Sequence, residues 1–175
     1  MLFFGLCTDT GFFRHVDERG AETFRVAARL IQFGASPKSA YAAINGGKSL
    51  DSRILLGHIL SRAECFFEGR LVLSCEDYDE TNRHGQEGRD TDNLYRLLQS
   101  IEGVEAIVVI RQESPEYCTV GFRSLDRINV ADIACSFGGG GHKNAAGLKI
   151  AGTINALKAQ ILEAFDKVFN PPEKK

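Results

Sequence analysis

Apolar and polar positions alternate along the chain with two different periods, and the switches between them predict the elements. Residues 2–7, Leu2-Phe3-Phe4-Gly5-Leu6-Cys7, form a short apolar run that ends at the polar Thr8-Asp9-Thr10-Gly11. That pattern predicts a buried strand followed by a loop. From Ala21 to Phe33, the residues Phe24, Ala27, Ala28 and Ile31 fall at helical spacing, with Leu30 alongside and Gly34 placed to end the helix. Ser36 followed by Pro37 predicts a capped second helix running to about residues 45–47. A third helix is expected over Leu50–Arg62, with Ile54, Leu55, Ile59 and Ala63 as its apolar positions.

The period then changes. Glu64–Glu68 and Arg70–Cys75 read as strands joined at Gly69 into a hairpin. Asp77–Gly88 is polar and reads as a short helix and loop, and Thr91–Ile101 as an amphipathic helix. Two strands follow, Val104–Arg111 and Tyr117–Arg123, with Ser114-Pro115 in the turn between them. Asn129 caps a short helix to about Ser136. A glycine run, a strand at Gly147–Ile150 and a helix over Thr153–Phe169 complete the series. The predicted fold is α/β (α+β). It places a five-stranded mixed sheet with helices at 64–170, a helical linker at 48–63, and one strand plus helices without a sheet partner at 1–47. Residues 171–175 are expected to be a disordered tail. An apolar strand without a partner exposes its edge, so self-association through residues 1–13, as a homodimer or otherwise, is expected.

Composition narrows the class. Of 175 residues, 43% are hydrophobic and 25% charged, the profile of a globular protein. No apolar run is long enough for a membrane span or a signal peptide. The net charge of −2 argues against long nucleic acid as a partner, while leaving room for a short anionic ligand held by local groups. The five cysteines, Cys7, Cys65, Cys75, Cys118 and Cys135, form no C-x-x-C, which argues against a zinc site or a disulfide framework and for a cytoplasmic setting.

The candidate chemistry centres on Gly138–Gly147, Gly-Gly-Gly-Gly-His-Lys-Asn-Ala-Ala-Gly. It is not a phosphate loop of the Walker type: Gly47-Lys48-Ser49 would need a glycine at Ala42. Nor is it a dinucleotide loop, because the required third glycine falls on Lys143 or Asn144. Consecutive glycines let the backbone approach an anion, and His142, Lys143 and Asn144 add side-chain donors. A plain flexible turn would not need those three residues. Arg123, at a strand end, can offer a planar fork to phosphate, with the Ser124 hydroxyl beside it. Asp9 suits a divalent metal, although an Asx turn explains it equally well when taken alone. Arg14, within a turn of it, could meet a phosphate.

Together these residues resemble the DHH phosphoesterases. Thr8-Asp9-Thr10-Gly11-Phe12-Phe13-Arg14 is similar to that family's fourth metal-site motif. Gly121-Phe122-Arg123-Ser124, Asn129–Ala134 and Phe137–Gly147 are similar to its DHH-associated C-terminal domain. The nearest group is the nanoRNase/pAp phosphatase type, the bifunctional oligoribonucleases, some called exopolyphosphatase-related. The resemblance implies a two-lobed enzyme. One lobe, a parallel α/β lobe, binds two manganese ions through Asp and His residues, including an Asp-His-His triplet. The other lobe holds the terminal phosphate and nucleotide of a short oligoribonucleotide or nucleoside phosphate. It implies that Asp9 is a metal ligand and that Arg123, Ser124, Gly139, Gly140, Gly141 and His142 contact substrate. Two cations would activate water and stabilise the leaving oxygen. The chain contains no Asp-His-His triplet. Residues 1–47 are therefore expected to be a remnant of the catalytic lobe, and the chain to bind without hydrolysing.

Overall fold

The computed structural model describes residues 1–84 and 88–171. The expected state of residues 172–175 lies outside the described residues. The chain divides into one unit over Met1–Lys48 and a second from Ser49 onward.

The first unit holds α1 (Leu2–Asp9), α2 (Ala21–Gln32) and α3 (Pro37–Asn45). The strand expected over residues 2–7 is a helix. Phe3 and Cys7, four residues apart, are its buried positions, and that spacing is one helical face. They pack with Ala27 of α2 and Ala40 of α3. A short apolar run satisfies either period, and the neighbouring helices select this one. The unpaired strand edge on which self-association through residues 1–13 was expected therefore does not exist, nor does a parallel α/β arrangement in this unit. Two caps match expectation. Gly34 closes α2 at φ +93, and Ser36 Oγ accepts from Ser39 N at 3.1 Å.

The second unit is built on α4 (Leu50–Ser61), β1 (Glu64–Phe66), β2 (Leu71–Glu76), α5 (Tyr78–His84), α6 (Thr91–Gln99), β3 (Ala106–Gln112), β4 (Tyr117–Ser124), α7 (Val130–Ser136), β5 (Gly140–His142), β6 (Ala145–Ala151) and α8 (Ile154–Phe169). The sheet order is β1-β2-β3-β4-β6-β5. Only β2 and β3 run parallel, across a crossover carrying α5 and α6; the other neighbours are antiparallel. The sheet has six strands rather than the expected five. The extra one is half of the glycine run, which pairs back on β6 at the sheet edge. The β1–β2 connection is also longer than a tight turn at Gly69, with Phe67 and Glu68 in left-handed conformations beside it.

The strand β4 alternates half-buried and buried residues along its whole length. Its buried set, Cys118, Val120 and Phe122, joins Leu71, Leu73, Val108, Ile110 and Ala146 under α7 and α8. The opposite face is split. Over β2 and β3, Val72, Ile107 and Val109 are covered by α4 and α6 through Leu55, Leu56, Ile59, Leu94, Tyr95 and Leu98. Further along, β4, β6 and β5 present Tyr117, Thr119, Gly121 and Arg123, then Lys149, Gly147 and Ala145, then Gly140 and His142. This is the glycine-rich half of the face.

Candidate phosphate-binding site

Antiparallel register aligns residues across strands on one face. One row is Arg123–Ala145–His142, and the next is Gly121–Gly147–Gly140. Neighbouring strands lie about 4.8 Å apart, so Arg123 and His142 stand roughly 10 Å from one another, flanking the middle strand.

The glycines of the run have separate reasons. Gly138 ends α7 at φ +80. A Cβ on Gly139 would stand 2.5 Å from Leu148 Cβ and 2.6 Å from Gly147 O, and one on Gly141 2.5 Å from Ala146 Cα. These positions are glycine because the hairpin is pressed against its neighbours. Gly140 differs: a Cβ there meets nothing within 4 Å, and its φ is not positive. At Gly147 the nearest atom would be Val120 O at 3.2 Å. That contact with a neighbouring backbone carbonyl is tight, so packing favours glycine at Gly147 and gives no reason for it at Gly140. Pairing on β6 also commits part of this stretch to the ladder, and the remaining groups point out along the free edge.

Gly121, the third member of the row, has a different explanation. Its Cβ would fall 2.1 Å from Tyr95 Oη. Tyr95, from α6, fills the notch with its tip, and its ring carries the Arg123 guanidinium 4.4 Å above the centroid. Arg123 Nη1 also donates to Phe122 O at 2.9 Å. Tyr95 is 4% exposed, and its hydroxyl lies beside the Arg111 guanidinium without reaching full hydrogen-bond geometry. Burial holds this phenol above its ordinary value, and the nearby Arg111 and Arg123 charges pull the other way. The sequence reading missed Tyr95. A glycine inside a strand pattern signals close approach, and Gly121 carried that signal without naming the visitor.

Ser124 and Asn144, both expected as substrate contacts, are occupied otherwise. Ser124 is 4% exposed and donates to Ile128 O at 2.7 Å, with Lys143 O and Asn144 Oδ1 each 3.3 Å away. The Asn144 amide donates to Asp126. Val130 N donates to Lys143 O and Ser124 N to Asn144 O, at 2.9 and 3.1 Å. These residues fasten the hairpin turn to the end of β4 and the start of α7. Of the expected phosphate contacts in the second unit, Arg123, Gly140 and His142 remain available on the glycine-rich face, and His142 is exposed.

Asp9 lies in the first unit, exposed at the end of α1 rather than at a strand end. The chain then turns sharply. Gly11, Phe12 and Phe13 all have positive φ, and Thr10 Oγ1 donates to Leu6 O and accepts from Phe13 N. The turn sends both rings inward, where Phe12 meets Tyr41 at 5.3 Å and Phe13 stacks on Phe24 at 5.1 Å. Arg14 is exposed, beside His15. Among the described residues, no three His, Cys, Asp or Glu side chains are grouped to hold an ion. The residues described do not make a two-manganese centre, and no hydrolytic step is assigned to them.

Residues 71–170 match the model of the DHHA1 domain, more than half of the chain, and the chain belongs to that family. Two curated relatives, each named "Membrane protein-large ribosomal subunit bL9 fusion protein", come from Aster yellows witches'-broom phytoplasma (strain AYWB) and Onion yellows phytoplasma (strain OY-M). They are 25% and 26% identical over 169 residues, covering 96% of this chain. The chain spans 19% of their length. In the present chain, no helix of the described residues is long and apolar enough to cross a membrane. Among solved structures, an exopolyphosphatase-related protein from Bacteroides fragilis matches with TM-score 0.77 and 20% identity, over 94% of this chain and 47% of that one. This likeness establishes the shared fold.

Proposed function

We propose that the chain holds the terminal phosphate of a short oligoribonucleotide or of a nucleoside phosphate such as pAp, as the substrate-binding part of a manganese-dependent phosphodiesterase or phosphatase. The observation that carries this reading is Gly140, open to solvent space beside the Arg123–Ala145–His142 rung. Arg123 and His142 flank Ala145, with Gly147 and Gly140 on the neighbouring rung and packing giving no reason for glycine at Gly140, on a sheet face where no carboxylate pairs with Arg123 among the described residues. A phosphate between them would take a fork of donors from Arg123 and a second donor from His142. Membership of the DHHA1 family supports it. The manganese belongs to the resemblance, with Asp9 as one ligand that this chain would contribute.

Calorimetric titration with a 5′-phosphorylated dinucleotide tests the reading. Arg123→Ala and His142→Ala are each expected to lower affinity by about 1.5–3 kcal/mol, the worth of one charge-assisted hydrogen bond. Binding that survives both substitutions refutes the site. With manganese and pAp, binding without turnover is expected of this chain alone. Turnover abolished by Asp9→Ala would instead make it an enzyme in its own right.

Self-association is a second reading, now favoured by exposed Leu2, Phe4, Phe24 and Phe33 rather than by a strand edge. Light scattering at high concentration checks it, and a monomer rejects it.

A further inference from the structure

An arginine side chain in solvent samples many rotamers, and a site that uses one must order it. A carboxylate is the common anchor, but it occupies the donor fork and cancels the charge. Arg123 is anchored differently. Its guanidinium lies 4.4 Å from the centroid of the Tyr95 ring, and its Nη1 donates to Phe122 O at 2.9 Å. A ring meets the flat face of a guanidinium and leaves the N–H groups along its edge free to donate. The charge is kept, and the fork is held at the end of β4.

The ring is itself fixed. Tyr95 lies on the buried face of α6 with Leu94 and Leu98, in the cluster that contains Ile107 and Val109 of β3. Its tip fills the notch at Gly121, where a Cβ would stand 2.1 Å from the hydroxyl oxygen. Beside the tip is Arg111, which donates to Glu76 at 3.2 Å. Leu94 and Leu98 show that aliphatic side chains suffice to fill this face of α6. What an aromatic ring adds at Tyr95 is a flat, electron-rich surface under a cation. Building on the reading above, we propose that Tyr95 is the positioning residue of the phosphate site. Its ring fixes the Arg123 fork in the orientation that meets the anion, so the arginine is ordered on folding rather than on binding. The ring performs this role, and the hydroxyl has no part in it.

Calorimetric titration of the full chain with the 5′-phosphorylated dinucleotide tests the role. It compares the wild type with Tyr95→Phe, Tyr95→Leu, Arg123→Ala and the double variant Tyr95→Leu/Arg123→Ala, each below its melting temperature. Tyr95→Leu is expected to lose affinity roughly threefold to tenfold, the scale of ordering one long side chain. Tyr95→Phe keeps the ring and is expected to bind as the wild type does. In the Arg123→Ala background, Tyr95→Leu is expected to cause no further loss, which a general loosening of the fold would not reproduce. Three results each refute the positioning role and leave the Arg123–His142 site standing: wild-type affinity in Tyr95→Leu, equal losses from Tyr95→Phe and Tyr95→Leu, or a full loss from Tyr95→Leu when Arg123 is already absent. Should Tyr95→Leu fail to fold, a ring-fluorinated phenylalanine in place of Tyr95 decides instead. It keeps the shape of phenylalanine without the electron-rich face, so weaker binding than Tyr95→Phe is expected, and equal binding refutes the role. If the wild type does not bind, or Arg123→Ala binds as tightly as the wild type, the phosphate reading itself fails, and the positioning role with it.

Discussion

Over β2 and β3, the sheet face closes its own charges. Glu76, fully buried, accepts from Arg89 at 2.9 Å and from Arg111 at 3.2 Å. Arg89 reaches on to Glu113 at 2.9 Å and to Thr81 at 3.2 Å. Over β4, β6 and β5, the same face carries Arg123, His142 and Lys149 around glycines, and Arg123 rests on an aromatic ring instead of a carboxylate. Both halves contain arginine on adjacent strands. They differ in whether the chain supplies the counter-charge. Where it does, the charges are buried and serve the fold. Where it does not, the charges stay at the surface and can serve an external anion.

The sharpest way to break this contrast is Glu76→Gln. It leaves two buried guanidinium groups short of a partner, and a cost of about 3–5 kcal/mol is expected in denaturant unfolding. A loss below 1 kcal/mol would mean that the network is not what separates the two halves. The next test lies within the glycine run. Gly139→Ala is expected to lower stability by about 1–3 kcal/mol, since its Cβ must displace Leu148 and the Gly147 carbonyl. Gly140→Ala should leave the melting temperature unchanged and weaken phosphate binding. Equal effects from the two would dissolve the distinction between a packing glycine and a ligand glycine. The smallest effect is expected from Tyr95→Phe. It removes a buried hydroxyl that makes no full hydrogen bond while keeping the ring under Arg123, so stability should change by no more than about 0.5 kcal/mol. A large loss would reveal a hydrogen bond between that hydroxyl and Arg111.

Most of the second unit was legible in the sequence because its elements carry clean periods and explicit caps. Asn129 is an example: its side chain accepts from Ala131 N at the start of α7, as expected. The third predicted helix was found, but its buried face is Leu55, Leu56 and Ile59, and Ile54 is 40% exposed. Spacing alone does not say which side of a mixed apolar stripe meets the sheet. The run Leu2–Cys7 went wrong for a related reason, since six apolar residues satisfy both periods until neighbours exist.

The sequence by itself determined the residue chemistry of the site. Four glycines followed by His142, and an arginine ending an apolar strand, are the residue types that would suit an anionic ligand approaching a bare backbone, as proposed above. Only the tertiary structure decided which of those residues are free to meet it. Register placed Arg123, Gly147, Gly140 and His142 on one face, and packing claimed Gly139, Gly141, Ser124 and Asn144 for the hairpin. It also brought in Tyr95 from α6, at least 26 residues away in the chain. A side chain's availability depends on what surrounds it in space, and local sequence carries no record of contacts made across such distances.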